Sequence, residues 1–376
     1  MWGEDMSFHR TQTIFDENHK ISASQLDLSA SLIPSFLIEL SKSSMRNLRG
    51  DSFQPRGVYL PEFGLENEAD VEPAIKVETV NMKPMPTRIE PISGGAPIIA
   101  VDVSSTKVGE TGNGIICALR GALVLKDERL YHYVRYGPLA FHVTDQTQES
   151  LSKRLGFQQF RIANPSTTPA TYVLSRLRNI LERWTQRLVC STFKNSIMLF
   201  DGSLTAGTPD NPVKRMSSIL DIAKDNGNVV LAFSKATKLC VAGQRITNLL
   251  DEATPPCVLD IDPFVVLQFP SNPIQLLGRV HVAKLASGGF TFRLDVDREV
   301  PQEIALEAVG KLVGGDLVVQ GYPESLRLAH ILSTFTANEV IAIQRFVTQQ
   351  YGLQMVPQFS LRRSLFGPFG TFNEVT

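Results

Sequence analysis

The sequence predicts an α/β protein with a mixed central sheet flanked by helices and with a helical, partly extended arm at its N-terminus. From residue 97 onward, apolar runs of strand length alternate with stretches of helical periodicity. The first strand is followed directly by two longer ones that predict an antiparallel meander. This order fits an RNase H-like sheet, and 43% of the 376 residues are hydrophobic, enough to bury a substantial core.

Residues 1–96 are predicted to form the arm, and residues 97–376 the main domain. Leucine and isoleucine recur at three- and four-residue spacing in 22–48, which predicts an amphipathic helix. Residues 57–90 contain seven acidic and three basic residues and four prolines, a composition that rarely builds a core of its own. We therefore expect a helix followed by an extended acidic segment.

The main domain is predicted to continue as a succession of strands and helices. Continuous or alternating apolar runs mark the strands, and apolar residues three or four apart mark the helices. The prediction is strands at 98–103, 114–125 and 130–136, a helix at 171–193, a strand at 197–200, a helix at 212–225, strands at 229–233, 279–285 and 290–296, and helices at 302–313, 323–335 and 338–351.

Two aspartates are predicted at the ends of buried strands. Asp102 ends the strand at 98–103, and Asp201 ends the apolar run at 197–200. Taken alone, Asp201 is most simply a turn residue, because Gly202 follows it. If the two strands are parallel neighbours, however, both carboxylates lie at one edge of the sheet, where they repel each other unless a cation binds between them.

Metal-dependent hydrolysis of a phosphodiester needs such a cluster of acids. Two divalent ions about 3.5 to 4 Å apart activate a water molecule and stabilise the leaving oxygen, and acidic side chains hold them. Two aspartates supply too few oxygens, and Glu182 is the only acid in 151–200. We expect Glu182 to be the third ligand, although it could also pair with Arg178 or Gln186 along its helix.

A local basic region favours a nucleic acid as the substrate. The whole chain has a net charge of −1, so a polyanion would have to bind a local patch. Residues 151–215 contain ten basic and three acidic residues. Such a bias is typical of a phosphate-binding surface around an acidic pocket, although a solvated helix gives the same count. The candidates for contact with DNA are Arg178, Arg183, Arg187 and, more weakly, Arg120.

Five segments together resemble the NurA nuclease family. They are IIAVDVSS with Asp102, LFDGSL with Asp201, VVLAFSKAT with Lys235, the hairpin GRVHVAKLASGGFTFRLDV, and GYPESLRLAH, which contains Tyr322 and His330. The resemblance covers about residues 97–350, and the last segment is the most distinctive. It implies an RNase H-like, manganese-favouring DNA nuclease, with Mg²⁺ as the alternative ion. It also implies single-strand endonuclease and 5′ to 3′ exonuclease activity, a homodimer, and a hexameric HerA-type ATPase as partner in DNA-end resection.

The same resemblance assigns roles to individual residues. Asp102 and Asp201 match the two metal-binding aspartates of the family, and Glu182 matches its helical glutamate. Tyr322 is expected to position the phosphate or a water, and His330 to contact a metal ion or the leaving group.

Lys235, at the end of the strand at 229–233, is a candidate phosphate contact.

One departure from the family is Val103, which follows the first aspartate where a glycine is usual and stiffens that turn. The phenylalanine-rich tail at 359–372 is expected to pack on its own domain, with stacking on single-stranded DNA or docking of a partner as alternatives.

Two other functions stay open. An actin-like ATPase or sugar kinase is suggested by DVSSTKVG and DGSLTAGT, which each contain an acid, a small-residue turn and a threonine. Such a protein needs a glycine-rich adenosine loop and a duplicated domain, and the sequence contains neither. A non-catalytic scaffold for an ATPase partner would be expected to have lost at least one of the acids.

The cysteines and the hydropathy predict a cytoplasmic protein. The four cysteines are far apart and lack a CxxC spacing, which argues against a zinc site or a disulfide framework and favours buried thiols. The N-terminus lacks an apolar signal region, and no apolar run approaches the roughly 20 residues that a membrane span needs.

Overall fold

The computed structural model describes residues 10–14, 32–56, 75–77, 85–128, 130–154, 170–208, 211–241, 243–267 and 274–356. The helices are α1 (Ser35–Met45), α2 (Asp145–Arg154), α3 (Ala170–Thr192), α4 (Val213–Asp225), α5 (Gln302–Gly315), α6 (Glu324–Ser333) and α7 (Ala337–Tyr351). The strands are β1 (Arg10–Ile14), β2 (Ser52–Pro55), β3 (Ile75–Val77), β4 (Thr87–Arg88), β5 (Ile98–Thr111), β6 (Gly114–Asp127), β7 (Leu130–Val143), β8 (Ile197–Asp201), β9 (Thr205–Ala206), β10 (Val229–Ser234), β11 (Cys240–Val241), β12 (Gln244–Arg245), β13 (Cys257–Asp260), β14 (Val265–Leu267), β15 (Gln275–Leu276), β16 (Gly278–Lys284), β17 (Phe292–Asp297), β18 (Val318–Val319), β19 (Tyr322–Pro323) and β20 (Gln354–Met355).

A twelve-stranded mixed sheet organises the fold. Its main path runs β1-β7-β6-β5-β8-β10-β17-β16-β13-β4, with β2 paired to β5 and β20 paired to β2. Strands β5, β8 and β10 are parallel to one another, and β6 is antiparallel to both β5 and β7. The segment β7-β6-β5-β8-β10 therefore has the strand order and directions of an RNase H-like sheet. The predicted fold class is confirmed.

The meander strands are longer than the sequence predicted. β5, β6 and β7 each contain 14 residues. The expected first strand ended at residue 103, but β5 continues to Thr111 because β6 pairs with it as far as the tight turn at 112–113. Asp102 therefore lies inside a strand rather than at its end, and it is the neighbouring strand β8 that ends beside it.

Helices cover both faces of the sheet near β5 and β8. Ala100 and Leu199 pack in a core with α5 and α6, and Val101 and Phe200 pack in a second core with α3 and α4. This alternation is what a strand buried on both faces requires. It explains why the sequence of β8 is a continuous apolar run.

Several elements from before residue 97 belong to the same sheet. β1 pairs with β7, β2 with β5, and β4 with β13. Helix α1 begins after Pro34, within the expected region 22–48, and packs on the β7 side of the sheet. Most of the predicted acidic segment and the whole phenylalanine-rich tail lie outside the described residues. The division between residues 96 and 97 stays a prediction.

The structure also bears on the cysteines and on the hydropathy of the helices. Cys117, Cys190 and Cys257 are buried free thiols, as expected, whereas Cys240 is exposed. Within the described part of the chain, every helix is too short or too polar to cross a membrane.

Candidate metal centre

Two aspartates lie side by side where the parallel strands β5 and β8 part. The strands pair in register as far as Val101 and Phe200. The next residue on each strand is an aspartate, Asp102 on β5 and Asp201 on β8. Because side chains alternate between the faces of a sheet, both carboxyl groups point toward the face that α6 covers.

Helix α6 adds a histidine to the two aspartates. His330 lies in the last turn of this helix. One ligand atom from each of Asp102, Asp201 and His330 lies within 4.8 Å of the other two. Nδ1 of His330 is buried and has no hydrogen-bond partner among the described residues. Two carboxylates and an unpartnered buried imidazole nitrogen fit a divalent cation, because oxygen and imidazole ligands together suit such ions.

Asp102 is held by hydroxyl groups from two elements. Asp102 is 7% exposed. Ser333 of α6 donates a hydrogen bond to its Oδ2, and Ser104 Oγ lies 3.4 Å from the same oxygen. His330 Nδ1 is 3.6 Å from this oxygen as well, beyond hydrogen-bond distance. One oxygen of Asp102 therefore carries all of these contacts.

The electrostatics of Asp102 and His330 favour the charged form of each side chain. Burial opposes the charge of Asp102, but His330, Ser333 and Lys235 outweigh it and hold the pKa of that carboxyl below its usual value. Contact with Asp102 raises the pKa of His330, against the opposing effect of burial.

Asp201 has a different set of partners. Lys235, just after the end of β10, places Nζ 2.6 Å from Oδ2 of Asp201. The hydroxyl group of Tyr322 donates to Oδ1 over 3.3 Å. The ring of Tyr322 packs against Phe233 and Phe292, and the ammonium group of Lys235 lies 5.7 Å from its centroid. Tyr322 and Lys235 therefore belong to the same site as the aspartates.

The glycine of the GYP motif is required by the turn that presents Tyr322. Gly321 has φ of +87°, and a Cβ atom there would lie 2.3 Å from the backbone oxygen of Phe290. Both the backbone conformation and the close approach exclude a side chain. The motif thus combines a turn residue with a tyrosine that contacts Asp201.

The metal-ligand candidates lie in a cleft that also includes residues of α3 and of the loop after β8. Glu182 is in its wall, but it lies outside the group of three ligands within 4.8 Å. Its Oε1 accepts a hydrogen bond of 3.1 Å from Gln186, which is the helix pairing that the sequence left open. The lining of the cleft is Asp102, Val103, Ser104, Arg178, Asn179, Glu182, Arg183, Asp201, Gly202, Ser203, Thr205, Thr208, Asn211 and His330.

The four arginines proposed to bind DNA have different positions. Arg178 and Arg183 line the cleft. Arg187 lies outside its lining and donates to Ser218 of α4 over 3.0 Å. Arg120 is 6% exposed and forms an ion pair of 2.9 Å with Glu339, so its placement differs from that of a surface DNA contact. Burial of an arginine is costly without a charged partner, which explains why Arg120 is paired with Glu339.

Two residues of the site were not identified from the sequence. Ser104 and Ser333 bind Asp102. The signal for both serines was periodicity, since Ser104 is two residues after Asp102 on a strand and Ser333 is three residues after His330 on a helix.

Comparisons of the sequence find no counterpart. No family model matches the chain, and no curated protein matches its sequence.

Comparison of the structure finds several similar solved structures. The NurA nuclease from Sulfolobus solfataricus is 17% identical over 71% of this chain and 88% of that chain, with a TM-score of 0.46. It belongs to the family that the sequence motifs resemble. Endonuclease V from Bacillus subtilis is 11% identical over 70% of this chain and 88% of that chain, with a TM-score of 0.32. Endonuclease V from Ciona intestinalis, in complex with a DNA that contains inosine, is 13% identical over 73% of this chain and 95% of that chain, with a TM-score of 0.34.

Proposed function

We propose that this protein is a divalent-metal-dependent DNA nuclease whose reaction centre is formed by Asp102, Asp201 and His330. The observation that carries the proposal is the convergence of these side chains, with ligand atoms within 4.8 Å of one another. They come from two adjacent parallel strands and a helix, so the arrangement is set by the main fold. Hydrolysis of a phosphodiester is the reaction that most needs such a cluster, because it must stabilise charge on attacking and leaving oxygens.

The three converging residues and Glu182 would hold the metal. When bound, the divalent ion supplies an activated water and stabilises the charge that develops on the leaving oxygen. Among the described residues, Oδ1 of Asp102 accepts no hydrogen bond, which leaves this oxygen for a cation. Glu182 lies in the wall of the same cleft and would complete the ligand set.

Lys235 and Tyr322 would act on the phosphate. Both contact Asp201, so both lie at the edge of the metal centre. The ammonium group of Lys235 would attract the negatively charged phosphodiester, and the hydroxyl of Tyr322 would orient the phosphate or a water. Arg178 and Arg183 in the cleft wall support a polyanionic substrate, because arginine binds phosphate oxygens well.

The finer part of the proposal rests on the motif resemblance. It comprises single-strand endonuclease and 5′ to 3′ exonuclease activity, a preference for Mn²⁺ over Mg²⁺, and a homodimer. It also comprises a hexameric HerA-type ATPase as partner, a role in recombinational repair of DNA ends, and a cytoplasmic location.

Replacement of one carboxylate tests the proposal. Asp201→Asn is expected to abolish cleavage of end-labelled single-stranded DNA in the presence of Mn²⁺, while the variant remains folded and still binds DNA. Asp225→Asn, an exposed residue of α4, is the matched control and is expected to cleave like the unmodified protein. Cleavage by Asp201→Asn at the unmodified rate would refute the assignment.

The two alternative functions predict other outcomes in the same experiment. An ATPase or kinase would consume ATP and leave DNA intact with Mn²⁺ present. A non-catalytic scaffold would neither consume ATP nor cleave DNA, and it would still be expected to bind its ATPase partner.

A further inference from the structure

The C-terminal end of α6 contacts the metal centre through a second residue besides His330. Ser333 is fully buried, and its hydroxyl donates to Oδ2 of Asp102. Ser333 Oγ also lies 2.8 Å from Oγ of Ser104. Since each hydroxyl has one hydrogen, Ser104 can donate to Ser333 while Ser333 donates to the carboxylate. Such a chain is favoured because the bond to a charged acceptor is the stronger one.

We propose that Ser333 is a positioning residue that orients the Asp102 carboxylate for a divalent cation, and that Arg120, Arg135 and Glu339 keep Ser333 in place. This inference rests on the proposed role of Asp102 as a metal ligand.

A fixed carboxylate binds a metal better than a rotating one. The terminal torsion of an aspartate is broad and nearly two-fold, so either oxygen of a free side chain can face the site. The contacts of Asp102 with Ser333, Ser104 and His330 all involve Oδ2. They leave Oδ1 as the oxygen for the cation. Loss of a group that orients a metal ligand in this way typically costs about 10- to 100-fold in metal affinity or activity.

Two arginines hold the main chain on either side of Ser333. The carbonyl groups at the end of a helix lack partners within the helix. Arg135 of β7 donates through Nε to the carbonyl oxygen of Leu332 over 2.9 Å. Arg120 of β6 donates through Nη1 to the carbonyl oxygen of Thr334 over 3.3 Å. The residue between these carbonyls, Ser333, is therefore tied to strands β6 and β7.

Glu339 joins the two arginines. Its Oε1 lies 2.9 Å from Nη1 of Arg120 and 2.9 Å from Nη2 of Arg135. Its Oε2 accepts from the backbone and the hydroxyl of Thr336, which forms a capping box at the start of α7. The guanidinium of Arg120 also lies 4.3 Å from the ring centroid of Phe335. The turn between α6 and α7 is thus held from both sides.

This network gives Arg120 a role other than DNA contact. Its guanidinium donates hydrogen bonds to Glu339 and to the carbonyl oxygen of Thr334 at the end of α6. On the sheet, Arg120 of β6 is paired with Ser104 of β5. Arg120 and Arg135 would therefore act on the metal centre through Ser333.

The test measures Mn²⁺ affinity of the full-length chain without DNA, by isothermal titration calorimetry. Ser333→Ala is expected to weaken Mn²⁺ binding about 10-fold or more, which is the usual effect of removing a group that orients a metal ligand. Ser325→Ala is the matched control: it is a fully buried serine of the same helix whose backbone N–H bonds Asp316 rather than Asp102. We expect this control to bind Mn²⁺ like the unmodified protein.

A second variant keeps the test valid where Ser333→Ala does not fold. Ser104→Ala changes a partly buried strand residue and removes a hydroxyl that lies 2.8 Å from Ser333 Oγ and 3.4 Å from Asp102 Oδ2. A weakening of several-fold is expected, smaller than for Ser333→Ala. Folding of each variant is checked by circular dichroism at the temperature of the titration.

The outcomes separate this inference from the proposed function. Unchanged Mn²⁺ affinity in Ser333→Ala, or an equal loss in Ser325→Ala, would overturn the positioning role even if the protein cuts DNA. Weakened binding in Ser333→Ala together with no DNA cleavage by the unmodified protein would support the positioning role and refute the nuclease. Absence of Mn²⁺ binding by the unmodified protein would overturn both.

Discussion

The ammonium nitrogen of Lys235 lies 2.6 Å from Oδ2 of Asp201. Asp201 pairs with Phe233 across the parallel strands β8 and β10, and Lys235 is two residues beyond Phe233. The sheet therefore fixes the separation of the two backbones. The positive charge of Lys235 therefore acts on both Asp201 and Asp102.

Removal of this charge should slow cleavage more than it weakens binding. We expect Lys235→Ala to reduce the rate of DNA cleavage with saturating Mn²⁺ by about 100-fold, as the loss of one preorganised electrostatic group commonly does. DNA affinity should fall by less than 10-fold, because other basic groups contribute to binding. Single-turnover cleavage and fluorescence anisotropy measure the two quantities.

Lys238→Ala is the control for this prediction. Lys238 is also an exposed lysine and is three residues further along the chain. Its replacement is expected to leave both cleavage and binding within twofold. An equal loss of rate in the two variants would show that general surface charge, rather than the contact with Asp201, causes the effect.

Mn²⁺ should stabilise the folded protein through the carboxylate pair. A ligand that binds only the folded state raises the free energy of unfolding by about 2.7 kcal/mol at 100 times its dissociation constant. We expect the thermal midpoint of the unmodified protein to rise with Mn²⁺ and that of Asp102→Asn to stay constant. Differential scanning fluorimetry with and without EDTA measures it. Asp225→Asn should respond like the unmodified protein, and a normal response of Asp102→Asn would contradict the ligand assignment.

The sequence predicts the strand framework because its signals are local. The apolar run that ends in Asp201 and the meander after Asp102 each lie within one or two elements, so periodicity identifies them. What periodicity does not give is the length of β5. Because β5 pairs with β6, this strand continues through the polar segment 104–107. The prediction that Asp102 ends the strand was therefore wrong.

The contacts that complete the site depend on distant parts of the chain. Ser333 is 231 residues from Asp102, and Glu339 is 219 residues from Arg120. No local pattern marks such pairs, since each depends on how α6 and α7 pack on the sheet. Arg120 consequently resembled a surface cation in the sequence, although the fold buries it against a glutamate.

Two arginines of α3 should contribute to the electrostatic part of DNA binding. Each phosphate contact changes the slope of log affinity against log salt by about 0.7 to 0.9. Simultaneous replacement of Arg183 and Arg187 by alanine is expected to weaken binding of single-stranded DNA and to lower the slope by between 1 and about 2. Arg245→Ala, at an exposed position of β12, is the control. An unaltered slope in the double variant would place the DNA path elsewhere.

Glu339 should make the stability of the protein depend on pH. The opposing effect of burial is outweighed by Arg120, the backbone of Thr336 and Arg135, which together lower the pKa of Glu339 to about 2 from its ordinary value of 4.5. A depressed pKa means that the carboxylate stabilises the folded state above pH 4.5 and that this contribution is lost as the pH falls toward 2.

Replacement of Glu339 by glutamine measures this contribution. At pH 7 we expect Glu339→Gln to lower the free energy of unfolding by about 1 to 3 kcal/mol, because two arginines lose a charged partner and one of them is buried. The difference from the unmodified protein should shrink when urea unfolding is repeated at pH 3. Glu307→Gln removes the partner of Lys311 in an exposed pair of α5 and should change stability by less than about 0.5 kcal/mol at either pH. A destabilisation of Glu339→Gln that is the same at pH 7 and pH 3 would show that the ion pairs do not cause it.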